Sequence, residues 1–115
     1  MAHEIPLPAH VGAALDRFRE ALKRHLGDRL VEACLFGSYA RGEAWEESDV
    51  DVLVVVEGST RADRQEIVAL ASDTGLSDDS CVVISPLVRS PEQLEELRRL
   101  ERRLIQDIDR EGVRL

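Results

Sequence analysis

The sequence has only two cysteines, Cys34 and Cys81. Two thiols make neither a disulfide framework nor a zinc site. Both lie inside apolar runs, which fits free buried thiols in a reducing compartment. No apolar run approaches the ~20 residues needed to cross a bilayer. Met1-Ala2-His3-Glu4-Ile5-Pro6 lacks a basic region followed by an apolar core, so it does not read as a signal peptide. The expectation is a cytoplasmic protein. Positive charge is also in short supply: 15 Lys+Arg stand against 23 Asp+Glu, for a net charge of −8 and a pI of about 4.8. An acidic surface repels phosphate backbones, which argues against nucleic acid and against anionic membrane as partners. A bound metal ion can reverse that sign at one site. The three histidines, His3, His10 and His25, are scattered without ligand spacing and are expected at the surface. Internal repeats, low-complexity segments and interdomain linkers are absent. A chain of 115 residues, 43% hydrophobic and 33% charged, then reads as one soluble globular domain spanning 1–115.

Apolar spacing predicts the elements. After an extended lead-in at Pro6 and Pro8, Val11, Leu15, Phe18, Leu22 and Leu26 form one helical stripe. Arg17, Glu20, Lys23 and Arg24 fall off it toward water, and Gly27 is the stop. Leu30 to Phe36 reads as a strand. Asp49 to Glu57 reads as a second, whose near-continuous β-branched run suits burial on both faces. A helix follows, capped by Thr60 or Ser59, with Ile67, Val68, Leu70 and Ala71 as its apolar side and Gly75 as its C-cap. Cys81 to Leu87 reads as a third strand, and Pro86 requires it to have an edge or an end there. Ser90, Pro91 and Gln93 mark a capped helix start. One helix is expected from there to Gly112, burying Leu94, Leu97, Leu100, Leu104, Ile105 and Ile108, with the charge run from Glu95 to Arg103 on its wet side. Strands interleaved with helices imply an α/β or α+β fold, a small sheet covered by helices.

The chemistry concentrates between Phe36 and Asp51. Gly37-Ser38 directly follows the first strand. Glycine lets the backbone approach a ligand, and a neighbouring hydroxyl can bond a phosphate oxygen. By itself such a pair is an ordinary turn. Asp49 and Asp51 are two apart in a strand, so both carboxylates share a face. By themselves they are two solvated surface acids. Like charges so placed repel, and Mg²⁺, which takes one or two carboxylates plus water and phosphate oxygens, would relieve that. Arg41 can reach either a phosphate or an acid such as Glu43 or Asp49. Trp45 can stack on a base or pack the loop onto the sheet.

Gly37-Ser38, ten residues, then Asp49-x-Asp51 resembles the signature of the DNA polymerase β-like nucleotidyltransferase superfamily. The run Gly-Ser-Tyr-Ala-Arg-Gly-Glu and the short chain look like its minimal nucleotidyltransferase family. Residues 36–54 carry the resemblance at motif level. It implies a mixed sheet with helices packed on it. It also implies Mg²⁺-dependent transfer of a nucleoside monophosphate from a triphosphate, ATP being the expected substrate, to a hydroxyl. Carried over, Gly37, Ser38 and Arg41 would bind the nucleotide, and Asp49 and Asp51 would be the catalytic metal ligands, possible partners of two ions. The family's third carboxylate, on a later strand, has no counterpart within Cys81-Val82-Val83-Ile84-Ser85-Pro86. Asp78 and Asp79, just before it, are either its substitute or a solvated turn. Tyr39 stands where many members have arginine.

The resemblance further implies a partner: a HEPN-type toxin, with this chain as the antitoxin that adenylylates it. Two alternatives stand beside that expectation. One is a binding module of the same fold that has lost turnover, which the missing third acid favours. The other is a transferase for a small hydroxylated molecule such as an aminoglycoside, acting as a homodimer.

Overall fold

The structure, a computed structural model, describes residues 7–41, 49–76, 82–100 and 102–115. In chain order they form α1 (Ala9–Leu26), a 3-10 turn (Gly27–Arg29), β1 (Leu30–Phe36), α2 (Ser38–Arg41), β2 (Val50–Val56), α3 (Arg61–Gly75), β3 (Ile84–Arg89), α4 (Pro91–Leu100), α5 (Arg102–Glu111) and β4 (Val113–Arg114). The sheet runs β3-β2-β1-β4. β1 is antiparallel to both β2 and β4, while β2 and β3 are parallel. The mixed sheet with helical cover is the architecture expected.

Alternation along the strands sorts the core into two layers. Val50, Val52, Val54 and Val56 pack with Leu35, Val11, Leu15, Phe18, Leu22, Ile67 and Ala71, so α1 and α3 cover one face. Leu53 and Val55 pack with Cys34, Ile105, Ile108, Leu94 and Leu97, so α4 and α5 cover the other. β2 is therefore buried on both sides, as its β-branched run requires. All five stripe residues of α1 are buried. Arg17 departs from its expected place in water: its guanidinium donates to the Thr74 carbonyl at 3.1 and 3.3 Å, tying α1 to α3.

Several boundaries differ from the sequence reading for identifiable reasons. The third strand is Ile84–Arg89, later than Cys81–Leu87; Cys81 lies outside the described residues. Pro86 is accommodated because β3 is an edge strand. Gly75 is the last helical residue of α3, not its cap. Its missing side chain makes room for the Val82 carbonyl, onto which a Cβ would fall. Val68 of the expected apolar side is 51% exposed.

The C-terminal helix is described as two stretches, α4 and α5, with Glu101 between them outside the described residues, and the two do not lie on one straight axis. The Arg98–Asp109 ion pair closes at 2.5 Å, whereas 11 residues of unbroken helix would hold their backbones roughly 16 Å apart. Leu100, at the end of α4, is 73% exposed instead of buried. The Ser90–Gln93 capping box is present, with backbone–side-chain bonds of 2.9 and 3.1 Å. β4 has no counterpart in the sequence reading: two residues are too short for a periodic signal, and pairing with Cys34 and Leu35 makes them a strand.

The α3 N-terminus carries a prediction. Thr60 is its cap: Asp63 N–H donates to Thr60 Oγ at 3.1 Å and Thr60 N–H donates to Asp63 Oδ2 at 3.0 Å. Arg29 also donates to Asp63, at 2.5 and 3.3 Å, and to the Glu57 and Gly58 carbonyls. The Arg29 bond first, then the Thr60 backbone bond, holds the Asp63 carboxyl at about 2, below its ordinary 3.8. A depressed carboxylate stabilises the fold above its unfolded value and loses that contribution as pH falls through the folded one. In urea titrations, Asp63→Asn is expected to destabilise at pH 6, with the difference from wild type shrinking between about 4 and about 2. Thr60→Ala is expected to cost about 1 kcal/mol at pH 6. An Asp63→Asn deficit that persists unchanged at pH 2 would contradict this account.

Candidate active site

β1 ends at Phe36, opposite Asp51 of the antiparallel β2. The chain then turns through Gly37, at φ 79°, into α2. Tyr39 and Ala40 are buried in the α1/α3 core and fix α2 against the sheet. Tyr39 is thus a packing residue.

The Gly37 backbone lies against the Asp51 side chain. A Cβ on Gly37 would sit on Asp51 Oδ2 and 3.3 Å from its Cγ. This is the close approach that glycine permits. Val50 and Val52 are buried toward α1 and α3. Alternation therefore turns Asp49 and Asp51 to the opposite face, beyond the end of the layer made by Leu53 and Val55. Asp51 is half-buried and Asp49 exposed. The sheet extends this face: Val50 N–H donates to the Val83 carbonyl at 2.8 Å, and the parallel register sets Asp51 beside Ser85. One step back, Asp49 stands beside Val83, which is 52% exposed.

The predicted site residues thus divide. Gly37, Asp49 and Asp51 come together at adjoining ends of β1 and β2. Ser38, next to Gly37 in the chain, opens α2, and Arg41 closes it. Trp45, Glu43, Asp78 and Asp79 fall outside the described residues. Val83 and Ser85 carry no signal in the sequence, because only the β2–β3 register, a contact across more than 30 positions of chain, puts them beside the aspartates.

Two carboxylates on one face, hard oxygen donors, fit a magnesium ion. The cradle that a Cβ at Gly37 would fill keeps the approach beside Asp51 narrow. Among the described residues there is no group of three or more His, Cys, Asp or Glu placed to hold a metal ion, so water and phosphate oxygens would have to complete the coordination. Cys34 takes no part. It is buried under α5, and burial first, then the nearby Glu32 charge, pushes its thiol up to about 11. It is the free buried thiol expected. His10 and His25 are exposed, as expected. No helix among the described residues is long and apolar enough to cross a membrane.

Known proteins resemble this chain in sequence and in fold. The family model for the nucleotidyltransferase domain matches residues 15–111. A protein of Methanocaldococcus jannaschii, named provisionally as a protein adenylyltransferase, is 43% identical over 75 residues, 64% of this chain and 74% of the relative. A second from that organism, named in the same way, is 47% identical over 55 residues, 46% of this chain but only 37% of its own length. A crystal structure described as a toxin–antitoxin with AMP-PNP superposes with a TM-score of 0.55 at 21% identity, covering 84% of this chain and 68% of that one. At that identity the likeness is one of fold. Motif, fold and a match over most of its length place the chain in the nucleotidyltransferase domain family, and as an enzyme it is a nucleotidyltransferase.

Proposed function

We propose that the chain transfers AMP from ATP to a hydroxyl on a partner protein, as the antitoxin of a pair whose toxin is of HEPN type. The observation that carries the reading is the Gly37–Asp51 approach. It puts the Gly37 backbone against a carboxylate that can hold the counter-ion of a triphosphate. Relatives named as protein adenylyltransferases support AMP as the group and protein as the acceptor. A fold neighbour described as a toxin–antitoxin with AMP-PNP supports both the nucleotide and the pairing. The HEPN identity rests on resemblance of the Gly37–Asp51 segment to minimal nucleotidyltransferases.

Asp49 and Asp51 would hold a magnesium ion, which supplies positive charge against that developing on the phosphate oxygens. Gly37, with the backbone opening α2 and with Ser38 and Arg41, would seat the triphosphate. The acceptor hydroxyl oxygen then bonds to the α-phosphorus. The bond from that phosphorus to the oxygen bridging to the β-phosphate breaks. Pyrophosphate leaves, and the hydroxyl proton passes to solvent water.

The second reading, a nucleotide-binding module without turnover, draws on β3, where Val83 and Ser85 flank the aspartates. One experiment separates the two. The chain is incubated with α-labelled ATP and Mg²⁺ in lysate of its source organism. A labelled protein band, identified by mass, is the expected result. ATP binding by calorimetry with no labelled band would favour the binding module. Neither label nor binding would end the functional proposal.

A further inference from the structure

Where the edge strand β3 ends, α3 from one face of the sheet and α4 from the other flank a groove of about 370 Å³, a size within the range of small-ligand pockets. Arg64 of α3, Arg89 of β3, and Gln93, Glu96 and Leu97 of α4 line it. Four residues of strand, about 13 Å, separate Arg89 from Ser85, the neighbour of Asp51.

Two guanidiniums share this groove. Arg64 and Arg89 are half-buried, and among the described residues neither is paired with a carboxylate, whereas Arg29, Arg98, Arg99 and Arg114 all are. Arg89 Nη1 donates to the Val88 carbonyl at 2.7 Å, which anchors its guanidinium at the sheet edge and leaves other N–H groups over. Gln93 Oε1 accepts from the Ser90 N–H at 2.9 Å, so the amide NH2 is the end left to donate. Glu96, the acid of the lining, is ion-paired with Arg99. Residues 1–6, 42–48 and 77–81 lead into the starts of α1, β2 and β3, at the other end of the sheet. Glu101 follows Leu100, about 10 Å of helix beyond Gln93. A partly desolvated cation costs free energy until an anion faces it, and a guanidinium fork matches phosphate oxygens two at a time. Two forks balance one phosphate monoester, which carries roughly −1.5 to −2 at pH 7. Leu97 offers an apolar contact to whatever bears the phosphate.

We propose that this groove is a second anion site, binding a phosphate monoester through Arg64, Arg89 and the Gln93 amide. It reverses the sign locally in a chain whose net charge is −8. It also stands apart from the proposed nucleotide site, so failure of either leaves the other intact.

The probe is sodium phosphate, titrated into the full chain at pH 7 without Mg²⁺, with sodium chloride at matched ionic strength as control. Proton–nitrogen NMR spectra that include the side-chain N–H groups read the groove at Arg64, Arg89 and Gln93, and read the nucleotide site separately at Gly37 and Ser38. Saturating shifts at the three groove residues are expected with phosphate and not with chloride. Arg64→Gln and Arg89→Gln are each expected to weaken binding in the groove at least tenfold and to leave the response of Gly37 and Ser38 as in wild type. Arg61→Gln, which removes an exposed charge from the same turn of α3, is expected to change nothing. No saturation at the groove residues overturns the site. Shifts that chloride reproduces, or an equal loss in Arg61→Gln, overturn it too, because diffuse positive charge would then explain them. Phenyl phosphate and the peptide Ala-Ala-phosphoserine-Ala-Ala then identify the source of the group. Tighter binding of the first supports a small phosphorylated molecule resting on Leu97, tighter binding of the second a phosphorylated protein segment, and failure of both to displace phosphate overturns recognition of a monoester.

Discussion

Asp51→Asn is expected to lower AMP transfer by at least about a thousandfold, the equivalent of roughly 4 kcal/mol of lost transition-state stabilisation. The substitution keeps the shape of the side chain and removes its charge. Asp51 lies beyond the apolar layer of Leu53 and Val55, so the substitution opens no cavity in the core. Asp49→Asn should cost less, about a hundredfold. Asp49 is exposed and free to shift, whereas Asp51 is half-buried and held against Gly37. Label transfer and Mg²⁺-dependent ATP affinity, measured beside thermal melts, check the order. Equal losses in the two variants, or an Asp51→Asn protein that transfers at the wild-type rate, would remove Asp51 from its assigned place.

The division between what the residues disclose and what they hide follows contact distance along the chain. Local signals are legible. The Leu30–Phe36 strand, the α1 stripe and the Ser90 capping box depend on neighbours within a few positions, and they stand where the periodicity puts them. Gly37, Asp49 and Asp51 are legible too, because the turn and the period-two alternation are local. The rest depends on pairing. β4 is a strand only because β1 lies beside it. No proline or glycine between Arg98 and Asp109 announces that α4 and α5 leave a common axis, and that pair closes only once they do. Leu100 fits a continuous stripe and so reads as part of a core it does not enter. Ser85 and Val83 acquire their place from the parallel β2–β3 register, which no spacing within either segment encodes.

Gly37→Ala should damage both stability and activity, and the two effects can be separated. At φ 79° the backbone is in the left-handed region, where a Cβ costs about 1–2 kcal/mol. In a domain of this size each kcal/mol lowers the melting temperature by roughly 4–8 °C. The second effect is particular to this position: the new Cβ falls on the Asp51 carboxylate, so that side chain must rotate away. Displacing a reacting-site group by about 1 Å can cost on the order of a hundredfold in rate. Gly27 and Gly58 provide the control. Both have positive φ, 55° and 63°, yet a Cβ at either would meet nothing within 4 Å. Gly27→Ala and Gly58→Ala should therefore melt lower, as Gly37→Ala does, while keeping wild-type transfer and wild-type Mg²⁺-dependent ATP affinity. If all three variants lost activity in proportion to their melting temperatures, the Gly37–Asp51 contact would be structural only. If Gly37→Ala alone lost transfer at temperatures where all three are folded, glycine would be required there because its backbone and the Asp51 carboxylate share the space in which the triphosphate must sit.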